Sequence, residues 1–272
     1  MTCSRFPDRA RRMTQTIPKN LGKVRVGCAG WSLPKEHLNR FPAEGTHLAR
    51  YASRFPAVEI NSSFYKPHRP ATYSRWAESV PADFVFSVKL PKVISHERRL
   101  VGADDVLDSF LAEVTQLGGR LGPLLVQLPP SLSFSAETAE RFFAAIRDRF
   151  DGAMALEPRN RSWFDPVAER FLQQYRVSRV AADPAVVPAA ALPGGWEDLV
   201  YYRLHGSPKV YYSSYSDENL EALAKKLTQA TRSAAVWCIF DNTAVGAATA
   251  NALDVLGRLT MDGSSTSSIS IL

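Results

Sequence analysis

The sequence predicts an α/β fold, a single (β/α)8 TIM-like barrel. Three observations carry the prediction. Eight short apolar segments alternate with helical stretches, the pattern of parallel strands ringed by helices. The 272 residues suit one such domain. The rival architecture is an open doubly wound sheet, which would carry a glycine-rich phosphate loop. Neither G-x-G-x-x-G nor G-x-x-x-x-G-K-S/T occurs in the chain.

Taken in order, Val24-Arg-Val-Gly-Cys28 is the first strand, and it runs into Ala29-Gly30-Trp31-Ser32. Thr46 to Phe55 has Leu48, Tyr51, Ala52 and Phe55 at helical spacing. Ala57-Val-Glu-Ile-Asn61 is the second strand, and Ala71 to Ser79 a helix. Asp83 to Lys89 is the third strand, closed by Pro91, and Val106 to Leu117 is helical. Pro123 to Leu128 is the fourth strand, stopped by Pro129-Pro130. A helix opens at Ser135 and runs to about Phe150, with Phe142, Phe143 and Ile146 on its apolar face. The fifth strand is built around Met154-Ala-Leu-Glu157, and Pro158, which lacks an N–H donor, ends its pairing. Val167 to Tyr175 is a helix, Ser178 to Asp183 the sixth strand, and Pro184 to Gly195 a loop. Leu199 to His205 is the seventh strand, Glu218 to Ala230 a helix, Ala235 to Asp241 the eighth strand, and Ala247 to Leu259 the last helix. The domain expected is 24–260, between a disordered basic extension, 1–23, and a disordered Ser-rich tail, 261–272.

The net charge is +6. Residues 1–23 hold six cations and one anion, a sum of +5, which leaves +1 for the rest. The basic balance therefore belongs to the extension, and bulk charge gives little support to nucleic-acid binding. The extension lacks the apolar stretch of a secretory signal. Its Arg-rich, acid-poor composition also fits a transit peptide, but a disordered extension, or a start at Met13, is the simpler reading. No apolar run approaches the roughly 20 residues that span a bilayer, so no membrane partner is expected. Cys3, Cys28 and Cys238 are few, odd in number and far apart, with no zinc spacing. That points to a reducing, cytoplasmic setting. Barrel closure would put Cys28 and Cys238 on neighbouring strands as buried thiols.

Strand side chains alternate between faces. Parity then collects a polar ring at the strands' C-terminal ends, where such barrels do their chemistry. It comprises Glu59 and Asn61, Lys89, Gln127, Glu157 and Arg159, Asp183, Arg203 and His205, and Asp241 and Asn242. A salt-bridge network accounts for two or three of these residues. Seven strands ending this way favour a functional pocket. Lys89, Arg159 and Arg203, with His205, suit an anionic group, because arginine's planar fork binds carboxylate or phosphate. The bland reading is that they only neutralise the acids, and both can hold.

Several segments resemble the DUF72 (YecE-like) family. They are Gly30-Trp31-Ser32, Val58-Glu-Ile-Asn-Ser-Ser-Phe-Tyr65, Phe86-Ser-Val-Lys-Leu-Pro91, Ile94-Ser-His-Glu-Arg-Arg-Leu100 and Leu121 to Pro130. Further on come Leu156-Glu-Pro-Arg-Asn-Arg-Ser-Trp163, Tyr202-Arg-Leu-His-Gly206, Tyr215-Ser-Asp-Glu218 and Phe240-Asp-Asn242. The resemblance covers about residues 24–259 and implies a fold similar to TIM barrels. It brings no established reaction. Where relatives often carry a His after the arginine of Glu-x-Arg, this chain has Asn160, so proton transfer is not expected there.

The site expected has Glu157, Lys89 and Asp241 as catalytic groups. Glu59, Asn61, Tyr65, His96, Gln127, Arg159, Trp163, Asp183, Arg203, His205 and Asn242 would bind substrate. The leading reading is an enzyme for a small phosphate- or carboxylate-bearing substrate, with a sugar-like skeleton compatible. In it Glu157 is the general acid or base, and Arg203 and His205 hold the anion. Glu157→Gln would then abolish turnover at an almost unchanged melting temperature. A desolvated Lys89 could form a Schiff base, although a lysine beside Glu59 or Glu157 is more simply read as a charged partner. A retaining glycosidase is disfavoured, since Gln127 and Arg203/His205 stand where its carboxylates belong. A second reading is nucleic-acid binding or metal-dependent phosphodiester cleavage, for which the histidines are thin. A single divalent ion on Glu157, Asp183 or Asp241 stays open; no metal ligand set and no nucleotide-cofactor motif is assigned. A third is a non-catalytic ligand- or partner-binding barrel.

Overall fold

The computed structural model describes residues 24–265. The extension 1–23 and the residues after 265 lie outside it. Among the described residues, ten strands form two sheets. In one, β1 (Val24–Cys28) pairs with β10 (Ala235–Phe240), β10 with β9 (Leu199–Leu204), and β9 with β7 (Ala181–Asp183), all parallel. In the other, β2 (Ala57–Ile60), β3 (Val85–Lys89), β4 (Leu121–Gln127), β5 (Met154–Glu157) and β6 (Val177–Arg179) are parallel neighbours in that order. A two-residue strand, β8 (Gly194–Gly195), adds antiparallel to β6.

In place of the expected single ring of eight strands there are thus, among the described residues, two sheets of four and six strands, parallel except for β8. The expected sixth strand is divided. Its first half pairs with β5 and its second with β9, and between them the Val180 N–H donates to the Leu156 carbonyl at 2.9 Å. At the other flank, Ala29 bridges Glu59 in parallel, and the Gly30 N–H donates to the Glu59 carbonyl at 2.9 Å. Tyr51 fills the seam below. Its hydroxyl accepts from the Cys28 N–H at 2.8 Å and donates to the Ala57 carbonyl at 3.1 Å. A Cβ at Gly27 would stand 2.2 Å from that same carbonyl oxygen. Gly27→Ala should therefore push β1 off β2 and cost about 1–3 kcal/mol. A urea midpoint equal to wild type would refute this close approach.

The helices follow from their end signals. In α4 (Ala136–Arg147) the Ser135 side chain accepts from the Thr138 N–H, Glu137 sits in the first turn, and Ala139, Phe142, Phe143 and Ile146 are buried at helical spacing. In α6 (Asp217–Ala230) Ser216 caps in the same way, ahead of Asp217 and Glu218. Proline opens α2 (Pro70–Glu78) and α5 (Pro166–Gln174) at a position where its missing N–H has no helical partner. The remaining helices are α1 (His47–Ala52), α3 (Asp104–Val114) and α7 (Ala247–Ser265). The last runs past Leu259 into the start of the Ser-rich segment.

Burial separates into two clusters that follow strand parity. The larger lies between strands and helices and includes Val58, Val88, Val126, Leu156 and Phe240. The smaller is Ala57, Leu125, Ala153, Ala155, Val180, Ala182, Leu199, Tyr201, Trp237 and Ile239, drawn from both sheets. Tyr201 and Trp237 stack in it, 5.9 Å apart and 4° from parallel. Small residues on β2 and β5 make room for those two rings. Cys28 and Cys238 lie on neighbouring strands as expected and are buried. Burial pushes the Cys28 thiol up to about 12 and raises Cys238 as well, so both stay protonated. Among the described residues no helix is long and apolar enough to cross a membrane.

Candidate active site

Two residues beyond the small inner cluster, the same strand faces turn polar. Tyr201, Arg203 and His205 follow one another at a spacing of two along β9 and its exit. Ala57 is followed by Glu59 on β2, Ala155 by Glu157 on β5, and Ile239 by Asp241 after β10. These side chains meet in one buried network.

Arg203 is its centre and is wholly buried. Its Nη2 lies 2.6 Å from Glu59 Oε1 and 3.2 Å from Asp241 Oδ2. Its Nε lies 3.0 Å from Glu59 Oε2, and its Nη1 2.8 Å from Glu157 Oε2. Three carboxylates thus share one guanidinium. Burial opposes its charge, but Glu59, Asp241 and Glu157 outweigh burial and raise Arg203 well above its ordinary value. The Tyr201 hydroxyl supports Glu59 from below, 2.9 Å from Oε2 and 2.9 Å from Ser87 Oγ.

Glu157 is the second hub. Its Oε1 takes Arg159 Nη2 at 2.6 Å and faces His205 Nε2 at 2.8 Å. Its Oε2 takes Arg203 and the Gln127 amide, the latter at 3.2 Å. Burial alone would raise its pKa; Arg203, His205 and Arg159 hold it well below the usual carboxylate range. A carboxylate so fully engaged is a poor proton carrier. Glu157 thus sits between Arg159, Arg203 and His205 and is in contact with all three.

His205 is sandwiched, with Nδ1 2.9 Å from Asp241 Oδ2 and Nε2 toward Glu157. Burial disfavours the imidazolium, but Glu157 and Asp241 win, and its pKa is raised. Asp241 is lowered in turn: burial opposes, and Arg203 and His205 prevail. When protonated, His205 donates to both carboxylates. When neutral with the proton on Nδ1, its Nε2 accepts instead from Arg159 Nη2, 2.8 Å away. The seat of Arg159 therefore depends on the charge of His205.

Lys89 is only 6% exposed. Its Nζ sits 4.0 Å from the centre of the Phe64 ring, and no ion pair or hydrogen bond to it is found among the described residues. Burial first, then Arg203, lower it to about 8 against the pull of Glu59, Glu157 and Asp241. His96 packs edge-on against the same Phe64 at 5.0 Å and lies 2.9 Å from Ser95 Oγ; burial, then Lys89, lower its pKa.

The other expected residues divide. Asn61 and Asn242 stand at the exits of β2 and β10, and each has a buried Oδ1 without a partner in the protein. The Asn242 amide donates to the Ser213 carbonyl and to Asn251, both at 2.9 Å. Asp183 is outside the network and accepts from the Tyr215 hydroxyl at 2.6 Å. Tyr65 is 77% exposed, its ring edge-on to Phe64. Trp163 is a core residue, 1% exposed. It packs on Phe134 and donates its indole N–H to the Leu132 carbonyl at 3.0 Å. Arg203 is fully buried, with its nitrogens on internal carboxylates. Arg159 differs: its side chain is 18% exposed, and its buried Nε lacks a partner in the protein. Sequence reasoning missed Tyr201. Its signal was parity, two residues before Arg203 on the same strand face. Among the described residues, no group of three or more His, Cys, Asp or Glu is placed to hold a metal ion.

Parallel sheets with a charge network buried at their strand ends define an α/β protein of a recognisable class. Residues 25–269 match the family described as "Protein of unknown function DUF72", and the chain belongs to that family. It is 31% identical over 173 residues to the UPF0759 protein YecE of Escherichia coli K12, a match spanning 61% of each chain. It is 26% identical over 273 residues to the UPF0759 protein YunF of Bacillus subtilis 168, covering 88% of this chain and 95% of that one. In fold it is similar to crystal structures of DUF72 family proteins. One, from Enterococcus faecalis V583, has a TM-score of 0.75 at 23% identity and is matched over 96% of its length by 88% of this chain. Another, from Thermotoga maritima MSB8, has a TM-score of 0.71 at 24% identity, with 99% of its length and 87% of this chain covered.

Proposed function

We propose that the two sheets are halves of one (β/α)8 barrel, and that their C-terminal ends form the active site of an enzyme for a small phosphate- or carboxylate-bearing substrate. The seams at Val180 and at Ala29–Glu59, and an inner cluster drawn from both sheets, support the first part. The observation that carries the second is the set of unsatisfied polar atoms. Five buried side-chain atoms among the described residues have no partner, and three of them are Asn61 Oδ1, Arg159 Nε and Asn242 Oδ1 at strand exits. Buried polar groups are normally paired, so such a concentration marks a place built to receive a partner.

Charge points to the ligand's sign. Glu59, Glu157 and Asp241 as carboxylates give −3; Arg203, Arg159, Lys89 and protonated His205 give +4. The network carries a surplus of one positive charge, with Arg159 and Lys89 the cations nearest solvent. Arg159 binds the anion, His205 and Glu157 hold Arg159, and Asp241 holds His205.

Thermal unfolding with sugar phosphates, carboxylates, nucleotides and short oligonucleotides, each with and without Mn²⁺ or Zn²⁺, tests the reading. A small anion should raise the melting temperature by mass action. Arg159→Met should remove that rise and cost about 1–2 kcal/mol in ligand-free stability. A rise only with oligonucleotide or metal would replace this function by a nuclease-like one.

A further inference from the structure

The network leaves one reactive group unused. Every nitrogen of Arg203 is bonded, both oxygens of Glu157 are taken, and both nitrogens of His205 face partners. Lys89 Nζ alone is neither ion-paired nor hydrogen-bonded among the described residues, and it lies at the end of β3 against an aromatic face. Ordinary lysines end in water or on a carboxylate. One that is largely buried and rests on an aromatic face, with no carboxylate bonded to it, is placed to act as a nucleophile.

We propose that Lys89 is a catalytic residue whose amine attacks the carbonyl of a small anionic aldehyde or ketone and holds it as an imine. This deepens the anion-site reading and rests on it. The neutral amine adds to the C=O carbon, and the N–H proton passes to the former carbonyl oxygen, giving a carbinolamine. Water then leaves and a C=N bond forms, so one C=O and one amine become one imine and one water with no change of oxidation state. The protonated imine carries the same single positive charge as the ammonium it replaces. The Phe64 face receives either cation, and the rest of the network needs no rearrangement.

The charged groups facing Lys89 are Glu59 from β2, Glu157 from β5, Arg203 from β9, Asp241 after β10, and His96 from the π-helical turn Val93–Glu97. Burial and Arg203 prevail over the three acids, and the amine titrates near 8. At pH 7.5 the neutral fraction is on the order of 200 times that of an ordinary lysine. The proposal sets the anionic end on Arg159 and the carbonyl on Nζ: Arg159 is bonded to Glu157, and the same carboxylate acts electrostatically on Lys89.

The test is reductive trapping on the full chain. Glyoxylate, pyruvate and dihydroxyacetone phosphate are each incubated with cyanoborohydride, and adducts are mapped by peptide mass. At least one anionic probe should label Lys89 at least tenfold faster than surface lysines, with a rate rising through about pH 8. Acetone, which lacks the anion, should label it far less, and Arg159→Met should erase the difference. Lys89→Arg, which keeps the positive charge and lacks the nucleophilic amine, loses the adduct. Label spread over surface lysines with Lys89 unmodified for all three probes, while an anion still raises the melting temperature, overturns the imine and spares the anion site. No label at Lys89 and no rise with any anion overturns both.

Discussion

Arg203→Met is expected to be the most damaging single substitution in the chain. It deletes the one guanidinium shared by Glu59, Glu157 and Asp241 and leaves those carboxylates buried. Breaking one partner out of a buried ion network costs about 3–5 kcal/mol, and here three partners are stranded. For a domain of this size that lowers the melting temperature by roughly 10 °C or more. Arg203→Lys should rescue little, because one ammonium cannot reach Glu59 through two nitrogens and Glu157 through a third. Adding Glu59→Met to Arg203→Met should recover part of the loss by removing one unpaired charge. Urea unfolding of the four proteins decides the matter. A cost under about 1 kcal/mol for Arg203→Met would mean that water reaches these acids in the folded state.

Glu157→Gln should also destabilise the protein, by about 2–4 kcal/mol. The sequence reading expects the opposite, a dead enzyme of nearly unchanged stability. That expectation suits a catalytic acid at a solvated mouth. Glu157 is instead closed in by Arg159, Arg203, His205 and Gln127, and a glutamine would turn an N–H toward one of these donors. The pH dependence separates the two views. Because Glu157 is held well below its ordinary value, its stabilisation is present above about pH 4.5 and is lost as pH falls through the folded-state pKa. The gap between wild type and Glu157→Gln should be constant from pH 5 to 6 and should shrink below pH 4.5. His205 works in the other direction: its raised pKa adds stability below about 6.5 that disappears as pH rises through the folded value. An equal gap at pH 3 and pH 6 would remove Glu157 from the network.

Strand parity made much of this readable. It placed Glu59, Glu157, Arg203 and His205 on one set of strand faces, and the expected closure, not parity, put Cys28 beside Cys238. It could not say which acid takes which base, because that depends on how far each strand reaches along the axis. Arg203 and His205 have the same parity on one chain segment, yet the first is spent on internal acids and the second trades partners with its charge. Trp163 follows a strand-end motif, and the motif does not say which neighbours bury it. Its position is decided by Phe134 and the Leu132 carbonyl, 31 residues away in sequence. The break at Val180 had no signal, since nothing in Val177 to Asp183 marks a strand that changes partners.

The ion network also sets a timetable for folding. Arg203 and Glu59 are 144 residues apart, and Asp241 enters only with the last strand. Contacts that distant form late, after most of the loop-closure entropy has been spent. A nascent chain that has released β2 and β5 therefore holds two acids on faces destined for burial, with their guanidinium still unsynthesised. Until β9 arrives, those acids keep the inward faces hydrated and work against premature closure. The last quarter of the chain then completes the sheet and neutralises its interior in one step. Chains that stop before Arg203 should remain open and sensitive to proteases, however much of their sheet has formed.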